Sequence, residues 1–381
     1  MPGKKRILVF IDWYLPGYKA GGPIRSCNGL VDLLKDTCEI SLICRDRDLG
    51  DNDKYENIQT DTWLEINGIR IMYLAPSSLN AFSIYNLIRE SSFDIIYLNS
   101  FFSYYFSILP LWLCKLFFKK RKILLAPRGM LDKEALYIKK RKKQLFLWLT
   151  KALGLYKNII WHVTNENERQ SVIRHFGEKS IIRFARNLTT VKSGVLLKNK
   201  KPAEARFVYI SRIVPIKNLL YAIRLLGRLP VTGKIQFDIY GPVEDLVYWE
   251  LCRKEIDTLP IHVRVIYKGT LPNQDLPEVL NGYEFFLLPT LNENFGHAIM
   301  ESLSNGCPVI ISNRTPWRNL EAAFAGWDLP LDDEPLFLQV LEKCVGMGPD
   351  EYGRWVQGAL RKASSYATDP DIILENRNLL Q

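Results

Sequence analysis

Short apolar runs alternate with amphipathic helical patterns along almost the whole chain, and this alternation limits the possible folds more than any single motif does. Typical runs are ILVFI (7–11), DIIYLN (94–99) and KILLAP (122–127) in the first half, and FVYIS (207–211) and EFFLLP (284–289) in the second. Apolar runs this short are typical of buried strands. Strands that alternate with helices predict a mainly parallel sheet covered by helices on both faces. The pattern therefore predicts an α/β protein.

The length of the chain predicts more than one domain. A chain of 381 residues is too long for one ordinary hydrophobic core. The polar stretch TTVKSGVLLKNKKPAEA (189–205) has no clear period and is interpreted as a linker. We therefore predict two doubly wound Rossmann-like domains, 1–195 and 196–365, that face each other across a cleft, and a tail, 366–381, that packs back on the first domain. In such sheets ligands bind at the carboxyl ends of the strands.

Positive charge is concentrated in the first half of the chain, whose net charge as a whole is +10. Residues 1–200 contain 33 Lys and Arg against 18 Asp and Glu, a balance of +15, whereas residues 201–381 contain 18 against 23, a balance of −5. A strongly basic half favours an anionic partner. Nucleic acid is disfavoured as that partner, because the sequence contains no recognition-helix or base-stacking module.

A membrane surface is the other candidate for the anionic partner. The aromatic stretch 101–122 is interrupted by Pro110 and Lys115 and is at the short limit for a membrane span. We interpret it as a buried helix with one exposed face that touches a membrane. The basic runs KKRK (119–122) and KKRKK (139–143) would add attraction to anionic lipids. A solvated basic face explains the same runs equally well.

The cysteine and histidine content argues against disulfides and zinc. Seven cysteines are scattered without a Cys-x-x-Cys pair, and the chain has four histidines. This usage is typical of reduced thiols in a cytoplasmic protein. The apolar run 7–11 is too short for the core of a secretion signal. We expect no metal and no cofactor.

Two cations follow one predicted strand of the second half. The run FVYIS ends at Ser211, a helix is predicted to begin near Asn218, and the loop between them contains Arg212 and Lys217. Both cations would lie at the carboxyl end of a strand, where a guanidinium and an ammonium can bind phosphate oxygens. Two ordinary loop cations are the alternative interpretation.

A pair of carboxylates, Glu293 and Glu301, brackets the start of a short helix predicted over 296–304. Ile299 and Leu303 mark the buried face of that helix, and Glu301 lies on the opposite side. A solvated Glu301 and a Glu293 that simply favours a helix start are the alternative interpretation. It explains each residue alone, but not why both follow a second predicted strand, EFFLLP (284–289).

The first turn of the same predicted helix offers backbone N–H groups that have no acceptor within the helix. These groups belong to Phe295, Gly296, His297 and Ala298, and their dipoles attract anions and hydroxyl oxygens. Gly296 has no side chain and therefore lets a ligand approach the backbone closely.

The order of these motifs resembles glycosyltransferase family 4. The motifs are Arg-x4-Lys-Asn at 212–218, Glu-x-Phe-Gly-x4-Glu at 293–301, and the Gly-x-Pro-Val-Ile that begins at Gly306. The stretch APRGMLDKEAL (126–136) resembles the N-terminal domain of the same family. Members of this family are retaining, metal-independent enzymes with the two-domain GT-B fold.

The resemblance implies roles for the candidate residues of the second domain. Arg212 and Lys217 would hold the diphosphate of a nucleotide sugar, and Glu301 would accept hydrogen bonds from the ribose. Glu293 and the backbone N–H groups from Phe295 to Ala298 would hold the donor sugar. A carboxylate suits either role, because its oxygens accept hydrogen bonds from hydroxyl groups.

The resemblance also implies roles in the first, acceptor-binding domain. Gly21 and Gly22 would let the backbone approach the phosphate, and Arg25 and Arg128 can contact an acceptor phosphate or be structural. The family often has a histidine after the DIIYLN strand, and Asn99 stands at that position here. Asparagine cannot carry a proton, so we count Asn99 among the catalytic candidates only as a hydrogen-bonding group.

Two pairs of aspartates have the Asp-x-Asp spacing that metal-dependent glycosyltransferases use. Asp46 and Asp48 form one pair, and Asp51 and Asp53 form the other. They lie in a polar stretch that we interpret as a solvated loop rather than a metal site.

The sequence thus predicts a retaining, metal-independent glycosyltransferase that moves a sugar from a nucleoside diphosphate to a glycan or lipid-linked acceptor in bacterial polysaccharide synthesis. It would work at the inner face of the cytoplasmic membrane. A sugar-nucleotide epimerase or hydrolase of the same fold is one alternative, and a non-catalytic membrane-surface scaffold is another. A nicotinamide-dependent dehydrogenase is disfavoured, because no Gly-x-Gly-x-x-Gly follows the first strand.

Overall fold

A computed structural model of the chain describes residues 4–137, 140–189, 200–230 and 233–380. The chain divides into two compact units, Met1–Thr189 together with Pro370–Gln381, and Thr190–Asp369. The predicted boundary at 195/196 and most of the predicted linker lie outside the described residues.

The first unit is built on a parallel sheet with one antiparallel edge strand. Its strands are β1 (Lys5–Phe10), β2 (Cys38–Arg45), β3 (Trp63–Ile66), β4 (Ile69–Leu74), β5 (Ile95–Leu98), β6 (Lys122–Leu125), β7 (Ile160–Val163) and β8 (Ile181–Phe184). They lie in the order β3-β4-β2-β1-β5-β6-β7-β8, and only β3 among them is antiparallel to its neighbour.

The helices of the first unit that precede the second unit are α1 (Gly22–Leu34), α2 (Ala81–Glu90), α3 (Leu109–Phe117), α4 (Lys133–Tyr137), α5 (Lys140–Ala152) and α6 (Glu166–Phe176). A π-helical turn, Tyr104–Ile108, leads directly into α3. The side chains of β1 alternate between two cores, with Leu8 and Phe10 in one and Ile7 and Val9 in the other. This alternation shows that the sheet is covered on both faces.

The second unit has a parallel six-stranded sheet. Its strands are β9 (Glu204–Ile210), β10 (Lys234–Tyr240), β11 (Val263–Tyr267), β12 (Phe285–Leu288), β13 (Val309–Ser312) and β14 (Gly326–Leu329). They lie in the order β11-β10-β9-β12-β13-β14. Every side chain of β12 and β13 is buried, as expected for strands covered on both faces.

The helices that follow in the second unit are α7 (Leu219–Gly227), α8 (Leu246–Ile256), α9 (Leu276–Asn281), α10 (His297–Ser304), α11 (Glu334–Gly346) and α12 (Pro349–Ala367). The last helix, α13 (Pro370–Asn378), belongs to the first unit. The Arg186 guanidinium donates a hydrogen bond to the Glu375 carboxylate on α13 at 2.7 Å, and Asn376 donates to the Arg186 carbonyl at 2.7 Å. The tail therefore packs on the first unit.

Each sheet has one point at which the chain changes direction. In the second unit β9 lies between β10 and β12, so the loops after β9 and β12 leave the sheet on opposite sides. In the first unit β1 lies between β2 and β5 in the same way. A crevice outside the carboxyl ends of the strands forms at such a switch point, and this is where doubly wound sheets bind ligands.

The α/β fold class is confirmed, and the apolar runs named above form strands. The strands β3 and β14 have no counterpart in the sequence prediction. None of the described helices combines the length and the apolar character that a membrane-crossing helix requires.

Candidate functional site

The loop after β9 carries both predicted phosphate-binding cations. Pro215–Lys217 form a 3₁₀ turn, and Asn218 follows with a φ of 58°. Asparagine tolerates this left-handed conformation better than most residues do. The Asn218 side-chain nitrogen donates a hydrogen bond to the carbonyl oxygen of Pro289 at 2.9 Å. This bond ties the β9 loop to the loop after β12.

Further hydrogen bonds join the loops after β9, β12 and β13. The hydroxyl of Thr290 donates to the Ile216 carbonyl at 3.0 Å, and the Leu291 amide donates to the same oxygen at 2.8 Å. The Ser312 hydroxyl donates to the Thr290 carbonyl at 2.5 Å. The backbone that carries the candidate residues is therefore fixed on both sides of the switch point.

Lys217 and Glu293 meet across this switch point. The Lys217 Nζ donates to Glu293 Oε2 at 2.5 Å, and the two side chains are only 11% and 16% exposed. The Glu293 amide donates to the Arg314 carbonyl at 3.0 Å, which holds the start of the acidic loop in place. The sequence places the two residues 76 positions apart, and the fold brings them into one ion pair.

Arg212 is paired with an acid that sequence reasoning missed. Its Nη1 donates to the Glu244 carboxylate oxygens at 3.0 and 3.3 Å. Glu244 lies in the loop after β10, the strand next to β9. An acid in the loop that follows a strand of the same sheet was the available signal. Both candidate phosphate-binding cations are thus balanced by carboxylates in this structure.

The start of α10 depends on a glycine. Gly296 has a φ of 83°, and a Cβ on it would lie 2.7 Å from Ile299 Cδ1 and 3.1 Å from Glu293 Cγ. A side chain there would meet both conformational strain and a steric clash. The Phe295 carbonyl accepts a hydrogen bond from the Trp317 indole at 2.6 Å, which orients the residues that lead into the helix.

The first turn of α10 has the polarity expected for anion binding. The helix begins at His297, one residue later than predicted, and Ala298 follows it. The first N–H groups of an α-helix have no acceptor within the helix and carry partial positive charge. The His297 ring packs edge-on against Phe295, with 4.7 Å between ring centroids.

The predicted faces of α10 are confirmed. Ile299 and Leu303 are fully buried, whereas Glu301 is half-buried on the other side of the helix. Its carboxylate is therefore placed on the same helix as the anion-attracting first turn, about one turn further along the chain.

In the first unit, Gly21 and Gly22 lie at the N-terminus of α1. Gly21 precedes the helix with a φ of 69°, and Gly22 is its first residue. The Asp48 carboxylate accepts hydrogen bonds from the backbone N–H groups of Tyr18 and Lys19, at 2.7 and 3.0 Å. Asp48, in the loop after the neighbouring strand β2, therefore positions the glycine loop.

The prediction of a solvated loop around the Asp-x-Asp pairs is wrong for its first pair. Asp46 and Asp48 are only 2% and 5% exposed. Asp48 is buried because it satisfies backbone donors of the loop after β1, and Asp46 pairs with the Arg47 guanidinium at 2.8 Å. Within the described ranges, no group of three or more His, Cys, Asp or Glu is arranged to hold a metal ion.

Asn99 and Arg128 are in contact in the first unit. Asn99 follows β5 directly, is buried, and accepts a hydrogen bond from the Arg128 guanidinium on its side-chain oxygen at 2.8 Å. Arg25 lies on α1 and is half-buried. The acceptor-binding candidates thus lie near the carboxyl edge of the first sheet.

The predicted site residues therefore form two groups, one in each unit. The fold brings together Arg212, Lys217, Glu293, Phe295, Gly296, His297, Ala298 and Glu301 around the switch point of the second sheet. The first unit contains Gly21, Gly22, Arg25, Asn99 and Arg128.

Residues 196–324 match the sequence model of a family described as "Glycosyl transferases group 1". The O-antigen chain mannosyltransferase B of Escherichia coli is 30% identical over 125 residues, which cover 32% of this chain and 32% of that enzyme. The aligned region therefore spans about a third of the length of that relative. These matches confirm the resemblance to glycosyltransferases.

Solved structures with the same fold cover almost the whole chain. Sucrose-phosphate synthase from Thermosynechococcus elongatus has a TM-score of 0.72 at 15% identity and covers 99% of this chain and 98% of its own. Anabaena Alr3699/HepE, solved in complex with UDP and glucose, has a TM-score of 0.66 at 14% identity with coverages of 99% and 98%. The GT-B fold is thereby confirmed.

Proposed function

We propose that the chain is a retaining, metal-independent glycosyltransferase that uses a nucleoside diphosphate sugar. The observation that carries the proposal is the placement of Arg212, Lys217 and the positive end of α10 around one switch point of a parallel sheet. A guanidinium, an ammonium and the N–H groups at the N-terminus of a helix are the chemistry that binds a diphosphate. The family match over residues 196–324 supports the proposal. So does Alr3699/HepE, a protein of the same fold that was solved with UDP and glucose.

The proposed reaction replaces one bond at the anomeric carbon with another on the same face of the sugar. The bond from that carbon to the diphosphate oxygen breaks, and a bond to the acceptor hydroxyl oxygen forms. The hydroxyl proton passes to the departing phosphate oxygen, so Asn99 is not required as a base. Arg212 and Lys217 stabilise the negative charge that develops on the leaving group.

Lys217 and Glu293 would act as a pair in this reaction. A diphosphate that approaches Lys217 adds negative charge beside Glu293, and the ammonium separates the two anions. Glu293 can then accept hydrogen bonds from hydroxyl groups of the donor sugar. Glu301, further along α10, would accept hydrogen bonds from the ribose.

The proposed metal independence rests on the same residues, which would supply the positive charge that a divalent ion supplies elsewhere. The test is turnover in the presence of EDTA and after addition of Mg²⁺ or Mn²⁺. We expect rates within twofold of each other, and a requirement for either metal would contradict this part of the proposal.

The acceptor is proposed to be a glycan or a lipid-linked carrier in bacterial polysaccharide synthesis. The support is the similarity to a relative named as an O-antigen chain mannosyltransferase. A lipid-linked acceptor would place the enzyme at the cytoplasmic face of the membrane.

Contact with a membrane is supported by an exposed apolar ridge on α5. Its side chains recur at helical spacing and are 44% to 65% exposed: Leu145, Trp148, Leu149 and, just after the helix, Leu153. The opposite face of α5 is buried through Leu147 and Thr150. Residues 104–157 contain fourteen Lys and Arg against two acids, so the surroundings of the ridge attract anionic lipids.

Vesicle flotation tests this contact. The protein should float with vesicles that contain phosphatidylglycerol and remain unbound with pure phosphatidylcholine. Trp148→Glu should reduce the floated fraction at least fivefold, whereas Ile261→Glu, which changes an exposed residue of the second unit, should not. Equal flotation of both variants and the wild type would contradict the role of the ridge.

A thermal-shift panel of nucleoside diphosphates and their sugars tests the activity itself, because a bound ligand raises apparent stability by mass action. A stabilising nucleotide sugar is then incubated with and without acceptor. Acceptor-dependent release of the nucleoside diphosphate supports transfer. Acceptor-independent release or isomerisation would indicate a hydrolase or epimerase, and no stabilisation by any nucleotide would indicate a non-catalytic scaffold.

A further inference from the structure

The guanidinium of Arg128 is held at the carboxyl edge of the first sheet by three neutral oxygen atoms. Its Nη2 donates to Tyr97 Oη at 2.8 Å and to Asn99 Oδ1 at 2.8 Å. Its Nη1 donates to Asn187 Oδ1 at 3.0 Å. These acceptors come from three different parts of the chain and fix the direction in which the charged group points.

His162, which contacts Tyr97, shows which atoms of this network carry the hydrogens. His162 Nε2 lies 3.0 Å from the Ala185 carbonyl, which can only accept, so Nε2 carries the hydrogen. His162 Nδ1 therefore accepts from the Tyr97 hydroxyl at 2.7 Å. The hydroxyl of Tyr97 in turn receives the hydrogen bond from Arg128.

No carboxylate forms a direct ion pair with Arg128 within the part of the chain that the structure describes. The nearby acid Glu168 is fully buried and already accepts hydrogen bonds from the Gly129 and Thr164 amides, at 2.7 and 2.8 Å. The direct contacts of this half-buried cation are all to neutral oxygens, and Glu168 acts on it only as a charge at longer range, so part of its hydration is lost without a paired carboxylate. Such a group favours the arrival of an anion.

The orientation of the Asn99 amide follows from its contact with Arg128. A guanidinium can only donate, so the side-chain oxygen of Asn99 must face it and the NH₂ group must point elsewhere. Asn99 is 3% exposed. Its Nδ2 and the Arg128 Nε are buried donors without an acceptor among the described residues. A buried donor left without a partner is costly, which makes it a feature that a ligand can satisfy.

We infer that Arg128 and Asn99 form an oxyanion subsite in the first unit that takes a phosphate group of a substrate. The guanidinium supplies the positive charge and its Nε–H, and the Asn99 amide supplies further N–H groups. The inference deepens the proposed function and rests on it for the presence of phosphorylated substrates. The phosphate can belong to a lipid diphosphate acceptor or to the nucleotide donor, and the two sources share the same chemistry.

The test measures two dissociation constants in the full-length protein by titration calorimetry. The probes are the soluble prenyl compound farnesyl diphosphate and the nucleoside diphosphate that stabilises the protein most in the thermal-shift panel. Loss of one charge-assisted contact should weaken binding roughly 10- to 100-fold in Arg128→Gln. If farnesyl diphosphate alone is affected, the subsite belongs to the acceptor, and if the nucleotide alone is affected, it belongs to the donor. Unchanged binding of both would overturn the inference.

Asn99→Asp keeps the test decisive if Arg128→Gln does not fold. The new carboxylate would pair with Arg128, so it should raise the unfolding temperature while it weakens phosphate binding at least tenfold. A purely structural network predicts the higher stability with unchanged binding. Arg169→Gln is the matched control, since it removes an exposed guanidinium of the same unit that pairs with Glu166. If no nucleotide binds the wild type, the proposed function fails, and farnesyl diphosphate alone then decides the subsite.

Discussion

Replacement of Lys217 by methionine should damage both the stability of the second unit and the transfer reaction, for two separable reasons. The variant keeps most of the side-chain volume but leaves Glu293 without the ammonium that lies 2.5 Å away. The Lys217 and Glu293 side chains are 11% and 16% exposed, so little water can solvate the carboxylate after the ammonium is removed. The cost should lie between that of an exposed ion pair and that of a buried one, at about 2 to 3 kcal/mol of unfolding free energy.

The effect on the reaction has a different origin. Loss of one preorganised donor at a site of developing charge costs roughly 2 to 4 kcal/mol in the barrier, which corresponds to about a 30- to 1000-fold lower kcat/KM. The double variant K217M/E293Q separates the two effects. It removes the stranded carboxylate, so it should regain most of the lost stability but none of the lost activity.

Urea unfolding followed by tryptophan fluorescence gives the stability change, and release of nucleoside diphosphate gives the rate. The single variant E293Q completes the cycle and should be less destabilising than K217M. The amide oxygen of Gln can still accept a hydrogen bond from the Lys217 ammonium, whereas Met leaves the Glu293 carboxylate without its donor. Near-normal turnover by K217M, or full recovery of turnover in the double variant, would refute the role of Lys217 as a diphosphate ligand.

An ion pair, a backbone angle and a buried histidine lead to three further predictions. Glu244→Gln should tighten nucleoside diphosphate binding roughly 1.4- to 5-fold, because it frees Arg212 from a surface ion pair worth about 0.2 to 1 kcal/mol. Titration calorimetry measures the dissociation constant. Gly296→Ala should lower the unfolding free energy by at least about 1 to 2 kcal/mol in urea, because the residue has a φ of 83°. Burial lowers the pKa of His162 to about 3, so between pH 6.5 and 3 the native state binds fewer protons than the unfolded state. The free energy of unfolding should therefore fall by about 1.4 kcal/mol for each pH unit as the pH drops from 6.5 towards 3.

Each of these predictions has a matched control. Glu250→Gln breaks a similar exposed pair with Arg253 on α8 and should leave nucleotide affinity unchanged. Gly348→Ala introduces a Cβ with no neighbour within 4 Å at a φ of −84° and should cost little. His162→Gln should flatten the slope of stability against pH between pH 6.5 and 4. An unchanged slope in that variant would show that another group is responsible.

The sequence was sufficient to predict the strands that are apolar on both faces, because a buried parallel strand is a short continuous apolar run. It was not sufficient for β3 or β14. The residues WLEI of β3 form an edge strand that is only half-buried, and GWDL of β14 contains a glycine and an aspartate. Their pairing depends on neighbouring strands that are distant in sequence.

The candidate site shows the same division. The positions of Arg212, Lys217 and Glu293 beyond the ends of strands were predictable, because each follows a recognisable apolar strand. Their carboxylate partners were not fully predictable, since Glu244 reaches Arg212 only through the pairing of β9 with β10. Asp48 was misinterpreted because its polar sequence surroundings resemble a solvated loop, whereas its oxygens accept backbone donors from a loop about 30 residues away.

A crystal structure of the chain with a bound nucleoside diphosphate, grown without and with Mg²⁺, tests the central claim most directly. We expect the diphosphate oxygens within hydrogen-bonding distance of Arg212, Lys217 and the first N–H groups of α10, with the Arg212–Glu244 pair broken and no metal ion between protein and phosphate. A nucleotide bound elsewhere, or a diphosphate held through a metal while both cations keep their present carboxylate partners, would contradict the account.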